Sequence, residues 1–175
     1  MFRYKTIADV LTITRVFCGF YLFLLALGGK PDTLPIAASI LLLSWATDVL
    51  DGPLARKGKA NNSTWVGQHD LTADLLVGTG VWLYLWSADY VSPVFGVGYL
   101  ALSILLLLWT RSVHVAWAVQ AIPYLMMIIT VYVYTKVFAI ILVTWLLLVT
   151  LVTWPRFIQE KVPEFLGGIA KLFKH

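Results

Sequence analysis

Residues 48–74, DVLDGPLARKGKANNSTWVGQHDLTAD, separate two long apolar segments of the chain. The stretch contains four of the nine acidic residues, namely Asp48, Asp51, Asp70 and Asp74. A carboxylate at the centre of a membrane helix costs about 2.5 to 3.5 kcal/mol on insertion scales, so acids this close to hydrocarbon need a compensating partner. The stretch therefore predicts a site that binds cations.

Composition places the chain among integral membrane proteins. Hydrophobic residues make up 60% of the 175 residues, and charged residues make up 13%, about half of their share in soluble domains. The length predicts one domain whose core is helix against helix within lipid. The net charge of +4 comes from basic residues spread between apolar segments, which favours a membrane surface as their partner and not nucleic acid.

Six transmembrane helices are predicted, because continuous apolar runs of this length without alternation suit helices and not a barrel. Turn-forming residues mark the breaks between most of them. The predicted spans are residues 10–27, 34–54, 66–86, 94–109, 113–134 and 137–154.

The distribution of lysine and arginine predicts that both chain ends face the cytoplasm. With that orientation ten basic residues lie on the inner side, and only Lys30 and Lys136 lie on the outer side. The loop that joins the second and third spans then also lies inside. The ten inner residues are Arg3, Lys5, Arg56, Lys57, Lys59, Arg111, Arg156, Lys161, Lys171 and Lys174.

Residues 155–175 differ in pattern from the predicted membrane domain of residues 1–154, because apolar and basic residues alternate there. Apolar residues between positions 165 and 173 can share one face, and two lysines attract anionic lipid. We expect this tail to lie on the inner leaflet as an interfacial amphipathic segment. The pair Gly167–Gly168 is expected to weaken any single helix there.

The four aspartates can converge on one site. Asp48 and Asp51 lie three residues apart at the end of the second span, and Asp70 and Asp74 lie four residues apart on the third. A short polar loop joins these spans, so we expect them to be antiparallel neighbours. Unpaired carboxylates repel each other, and divalent cations with oxygen ligands relieve that repulsion. The pattern predicts Mg²⁺ or Mn²⁺ with a phosphate-bearing substrate.

Small and basic residues near the acids suit a phosphate ligand. Gly52 and Ala55 remove side-chain bulk, and Arg56 offers a guanidinium fork, although all three are also ordinary helix contacts or inside anchors. Arg111 and Arg15 are further candidates for binding an acceptor's phosphate, and each could instead be an anchor or the partner of an aspartate. The aromatic residues of the fifth and sixth spans are interpreted as lipid-facing or interfacial.

Residues 48–56, DVLDGPLAR, and residues 70–74, DLTAD, form a recognisable pattern. They resemble the signature of the CDP-alcohol phosphatidyltransferase family, in which DxxDGxxAR is followed by a glycine and then by DxxxD. Gly67 stands three residues before Asp70, where the family usually has GxxxD. Residues 8–15, ADVLTITR, are similar to the family's first-helix pattern PNxLTxxR, with its Pro and Asn replaced.

The resemblance implies an enzyme that transfers a phosphatidyl or related group from a CDP-linked lipid, such as CDP-diacylglycerol, to an alcohol. CMP is released, and the product enters phospholipid biosynthesis. Among acceptors glycerol 3-phosphate is favoured, while phosphatidylglycerol, inositol phosphate, serine and choline stay open. The resemblance also implies a homodimer in a bacterial inner membrane, with its active site on the cytoplasmic side.

Site roles follow from the same resemblance. Two divalent ions, Mg²⁺ or Mn²⁺, would be bound by aspartates, and Asp74 would also be the base that takes the acceptor's proton. The implied metal ligands are Asp48, Asp51, Asp70 and Asp74, and the implied nucleotide-binding residues are Gly52, Ala55, Arg56 and Gly67.

Two other hypotheses stay open. A cation or proton transporter could use the same carboxylates as a relay, although acids at one mouth and almost none along the other spans argue against a path through the membrane. A non-catalytic member of the family could retain the altered motif in a structural role.

Overall fold

The computed structural model describes residues 2–57, 69–156, 158–159 and 162–172, with side chains for residues 6–50, 69–154, 158–159 and 162–168. All regular structure in these ranges is helical, so the prediction of an all-α protein is confirmed. In chain order the elements are α1 (Phe2–Gly28), a 3₁₀ turn (Pro31–Thr33), α2 (Leu34–Lys57), α3 (Asp70–Ser87), α4 (Pro93–Thr110), α5 (Val113–Tyr134), α6 (Lys136–Arg156) and α7 (Val162–Leu172).

Within the described residues, five helices are long and apolar enough to cross a membrane. The chain is therefore an integral membrane protein, as its composition predicts. Helix α3 corresponds to the predicted third span but is not one of the five, because Asp70 and Asp74 lower its apolar content. The count of six spans and the cytoplasmic position of the chain ends stay predictions. The five apolar segments are Thr6–Gly28, Pro31–Leu50, Pro93–Thr110, Val113–Tyr134 and Lys136–Trp154.

Helix α3 begins at Asp70, four residues after the predicted start of the third span at Val66. His69 forms its N-cap with φ −102° and ψ 14°, which is not a helical conformation. The predicted span of residues 66–86 includes His69 and was therefore wrong at this residue. The carboxylate of Asp70 lies in the first turn, where it complements the positive end of the helix dipole. An aspartate predicted as a site residue thus also marks the beginning of its helix.

Helix α1 holds α2 and α3 together. It packs extensively on both, whereas α2 and α3 have only a small direct contact. A methyl group added to Gly19 would lie 2.8 Å from Leu76 Cγ and 3.0 Å from Val77 N, and one added to Gly80 would lie 2.8 Å from the Gly19 carbonyl oxygen. These two glycines let the backbones of α1 and α3 approach closely, as small residues do between membrane helices. The expected pairing of α2 with α3 is thus largely replaced by packing on α1.

Trp82 of α3 links α4 and α5 to the helices α1, α2 and α3. Its side chain is fully buried, and its indole N–H donates to the Gly96 carbonyl oxygen at 3.1 Å. Its ring centroid lies 4.0 Å from that of Tyr99, whose hydroxyl donates to the Val119 carbonyl oxygen at 2.6 Å. The buried N–H and O–H groups are therefore paired, which removes the cost of burying them.

Helix α7 continues through Gly167–Gly168 as a single helix, and the expectation that this pair weakens it stays a prediction. A methyl group at Gly168 would overlap the ring of His114 at the start of α5, and the ring of Phe165 lies 6.5 Å from the same imidazole. The glycine therefore allows α7 to pack on α5. Leu166 remains exposed. The position of the tail on a membrane surface and the division of the chain at residue 154 stay predictions.

Candidate active site

Three of the four predicted aspartates lie close together. One carboxylate oxygen from each of Asp48, Asp70 and Asp74 lies within 4.8 Å of those of the other two. Asp48 comes from α2, near the end of an apolar segment, while Asp70 and Asp74 come from the first two turns of α3. Their side chains are 51%, 40% and 24% exposed, so the group is partly buried and still accessible. We refer to these three residues as the aspartate group.

Arg15 of α1 connects all three carboxylates. Its Nη1 donates to Asp48 Oδ1 at 2.7 Å and to Asp74 Oδ1 at 2.6 Å, and its Nη2 donates to Asp70 Oδ1. The Arg15 side chain has no exposed surface. A buried guanidinium is costly unless its charge is compensated, and here three carboxylates compensate it.

Thr12, one turn before Arg15 on α1, extends the network. Its Oγ1 lies 3.2 Å from Asp70 Oδ1, to which it donates, and it accepts from Arg15 Nη2 at 3.4 Å. The Thr12 side chain is buried. Both residues that α1 places against the aspartate group therefore come from residues 8–15.

Tyr124 of α5 lies beside the same group. Its hydroxyl donates to the backbone carbonyl oxygen of Asp74 at 3.4 Å. Its ring meets Trp45 of α2 edge-on, with the centroids 5.5 Å apart. Tyr124 thus packs between the second and third helices where the aspartates meet.

The charge of the site suits a divalent cation. Three carboxylates and one guanidinium leave two negative charges uncompensated within the aspartate group and Arg15. The hydrogen bonds from Arg15 to the three aspartates end on Oδ1, so within the described part of the chain their Oδ2 atoms are open to a further ligand. Carboxylate oxygens of this kind are the ligands that Mg²⁺ and Mn²⁺ prefer. The residues present therefore fit a divalent metal.

Comparison with protein families agrees with this chemistry. The family model described as CDP-alcohol phosphatidyltransferase matches residues 5–165. The chain belongs to this family. The match includes α1 with Arg15 and both segments that carry the aspartates, so the resemblance drawn from the motif is confirmed. No curated protein and no solved structure matches the chain significantly.

Membership of the CDP-alcohol phosphatidyltransferase family identifies the class of chemistry. The family carries out phosphatidyl transfer from a CDP-alcohol and generally uses a divalent metal. An alcohol acceptor and membrane lipids are therefore the other participants that membership implies. The aspartate group is the part of this family member that fits the metal.

Several predicted residues of the phosphatidyltransferase motif fall where side chains are not described. Asp51, Gly52, Ala55 and Arg56 belong to the last turns of α2, but their side chains lie outside the described part of the chain. Gly67 lies outside the described residues altogether. The metal role of Asp51 and the nucleotide roles of the other four residues stay predictions.

Arg111 is not part of the network around the aspartates. It ends α4 with a left-handed φ of 47°, and its backbone N–H donates to the Leu107 carbonyl oxygen at 3.0 Å. The residue is exposed. Within the described part of the chain it has no hydrogen bond or ion pair to the aspartate group, and acceptor binding by Arg111 stays a prediction.

Sequence reasoning missed Thr12 and Tyr124 and left the partner of Arg15 open. The signal for Arg15 was present, because a lone arginine in an apolar run needs a counter-charge and four of the nine acids lie in one stretch. The i, i+3 spacing then places Thr12 on the same face. No comparable signal separates Tyr124 from the other tyrosines of α5.

Proposed function

We propose that this chain is an active phosphatidyltransferase that moves a phosphatidyl group from CDP-diacylglycerol to an alcohol and releases CMP. The observation that carries the proposal is the convergence of Asp48, Asp70 and Asp74 around Arg15 in a member of this family. Glycerol 3-phosphate is the favoured acceptor, and phosphatidylglycerol, inositol phosphate, serine and choline are the alternatives.

The proposed cofactor is a pair of divalent ions, Mg²⁺ or Mn²⁺. Bound at the aspartates, such ions would neutralise negative charge on the diphosphate and on the departing CMP. The uncompensated charge of the aspartate group supports this role. The residues proposed to hold the metals are Asp48, Asp51, Asp70 and Asp74, and those proposed to hold the nucleotide are Gly52, Ala55, Arg56 and Gly67.

The proposed reaction joins the acceptor oxygen to the β-phosphorus of the donor and breaks the bond between that phosphorus and the CMP oxygen. CMP leaves with the electron pair of the broken bond. Asp74 takes the proton of the acceptor hydroxyl as general base. Arg15 holds Oδ1 of Asp74 by a hydrogen bond and thereby orients the carboxylate that takes the proton.

The residues of α1 act by positioning. Arg15 fixes three carboxylates that would otherwise repel each other, and Thr12 orients the carboxylate of Asp70. Correct placement of such groups accounts for much of the rate in phosphoryl transfer. Direct contact of Arg15 or Arg111 with an acceptor's phosphate stays a prediction.

The proposed location is a bacterial inner membrane, with the active site facing the cytoplasm. The excess of lysine and arginine on that side of the predicted topology supports this orientation. Residues 155–175 are proposed to lie on the inner leaflet, and a homodimer is the proposed assembly.

Release of CMP by the purified protein in detergent tests the proposal. With CDP-diacylglycerol, Mg²⁺ or Mn²⁺ and the panel of acceptors, the wild-type protein should release CMP with at least one acceptor. Asp74→Asn removes the proposed base and should abolish release. Asp89→Asn makes the same chemical change at an exposed loop residue with φ 61°, a conformation that asparagine tolerates, and should leave release unchanged. The proposal fails if no acceptor gives CMP above the Asp74→Asn level.

A further inference from the structure

A cavity of about 120 Å³ lies between α3, α4 and α5, outside the aspartate group. Gln120 lines it and is only 8% exposed. Its Nε2 is buried and has no hydrogen-bond partner among the described residues. Buried amide groups are nearly always paired, because an unpaired donor loses its hydration without compensation. The unpaired N–H donor of Gln120 therefore indicates a ligand that supplies a hydrogen-bond acceptor atom.

The cavity opens toward the lipid-facing surface of the bundle. Gln120 and Ser103 line it as buried residues, whereas Ile104 on the same lining is 56% exposed and Thr79 is also exposed. The lining residues that the structure describes carry no charge. A phosphate group would need a cation in this lining. The lining therefore suits an uncharged hydrogen-bond acceptor on a ligand that enters from the hydrocarbon region of the membrane.

The cavity also lies next to the aspartate group. A methyl group at Gly78 would lie 3.4 Å from Gln120 Cγ and 3.8 Å from the Tyr124 hydroxyl, which itself donates to the Asp74 carbonyl oxygen. Gly78 follows Asp74 by about one helical turn, roughly 6 Å along α3. Gln120 is therefore about one turn away from the residue that we propose as the base.

We propose that this cavity holds the glycerol-ester region of the diacyl lipid substrate, with Gln120 Nε2 donating to an ester carbonyl oxygen. The inference rests on the proposed function, because it assumes that the phosphates of the same lipid lie at the aspartate group. Ester carbonyls are neutral acceptors that lie between the phosphate and the acyl chains of a glycerolipid. In a cavity without water, an ester carbonyl oxygen would gain from Gln120 a hydrogen-bond donor that acyl chains cannot supply.

The test compares CDP-dioleoylglycerol with its dialkyl ether analogue, which lacks both carbonyl oxygens. Binding is measured without turnover, as the lipid concentration that gives half-maximal thermal stabilisation of the protein in detergent. The wild-type protein should bind the ester about three- to tenfold more tightly, the range expected for one hydrogen bond between neutral groups. Gln120→Leu should bind both lipids alike, at the affinity of the ether.

Two controls separate this role from a structural one. Thr130→Val changes another buried polar residue of α5, whose Oγ1 donates to the Met126 carbonyl oxygen at 2.8 Å, and should retain the ester preference. Ile104→Trp narrows the cavity from an exposed position where folding is not at risk, and it should weaken binding of both lipids several-fold. Leu105→Trp, at a neighbouring residue that is 65% exposed and outside the cavity lining, should not.

The outcomes distinguish this inference from the function on which it rests. Equal binding of ester and ether by the wild-type protein overturns the inference, whether or not CMP is released. An ester preference that survives Gln120→Leu also overturns it, since a group other than Gln120 then recognises the ester. Loss of the preference in Gln120→Leu supports the inference, and a wild-type protein that shows the preference but releases no CMP contradicts only the proposed function.

Discussion

Helices α3 and α4 are both 18 residues long but differ in what surrounds them. Eight residues of α3 are buried, against three of α4. Helix α4 has a mean hydropathy of 1.9 and is one of the five segments apolar enough to cross a membrane, whereas α3 is not. Of these two helices, the one that hydropathy identifies more easily thus contributes less to the core and to the site.

The difference follows from the contacts of each helix. Exposed apolar side chains cover α4, including Leu105, Leu108 and Trp109, because lipid is its main neighbour. Helix α3 carries Asp70 and Asp74, which lipid cannot solvate, and α1 supplies Arg15 to meet them. In these two helices, the higher hydropathy of α4 accompanies lipid contact, while the acids of the less apolar α3 lie in contact with protein.

Removal of Arg15, the residue that meets the acids of α3, should have the largest effect on activity and stability. In Arg15→Leu the three carboxylates lose their buried partner, so we expect activity to be abolished and stability to fall by about 3 to 5 kcal/mol. Arg15→Lys keeps the charge but not the guanidinium fork, and should be intermediate. CMP release and thermal unfolding in detergent measure both effects. The control is Lys136→Leu at the exposed start of α6; equal losses in the two leucine variants would contradict a special role for Arg15.

Separation of α1 from α3 should have the next largest effect. Gly80→Val adds side-chain atoms where a methyl group already comes within 2.8 Å of the Gly19 carbonyl oxygen, and overpacking of this kind costs about 1 to 3 kcal/mol. Because Arg15 moves with α1, we expect CMP release to fall by at least about tenfold. Gly98→Val on α4, where no atom lies within 4 Å of an added methyl group, should leave both the stability of the protein and its CMP release unchanged. If both variants behave alike, close approach of α1 and α3 is not needed.

Loss of the Thr12 hydroxyl should have the smallest effect of the three. Thr12→Val removes the hydrogen bond to Asp70 and should lower CMP release by about three- to tenfold, as expected for one hydrogen bond. Thr110→Val on α4 removes a hydroxyl that donates to the backbone of its own helix, at 2.7 Å from the Leu106 carbonyl oxygen, and should have no effect on release. Unchanged release from Thr12→Val would show that Arg15 alone positions Asp70.

Features that depend on local spacing could be predicted from the sequence. The i, i+4 spacing of Asp70 and Asp74 places them on one face of a helix, and the motif in residues 48–56 is enough to indicate the family. The long apolar runs likewise identify the helices that face lipid. Each of these features is encoded within a few turns of chain.

Features that depend on contacts between distant residues could not be predicted. Arg15 meets its three partners across 33, 55 and 59 positions, and an apolar pattern does not show which helix lies against which. The same holds for Gly168, whose value for packing depends on His114. Propensity alone treats that glycine as a helix breaker, and tertiary packing overrides it.

The dependence of CMP release on divalent metal tests the central claim most directly. Wild-type protein treated with a chelator should release no CMP from CDP-diacylglycerol, and added Mg²⁺ or Mn²⁺ should restore release. Asp70→Asn, which removes one carboxylate of the aspartate group, should need far more metal or give no release at any concentration. Release at the untreated rate after chelation, or a wild-type metal requirement in Asp70→Asn, would contradict the claim that the aspartate group binds the catalytic metal.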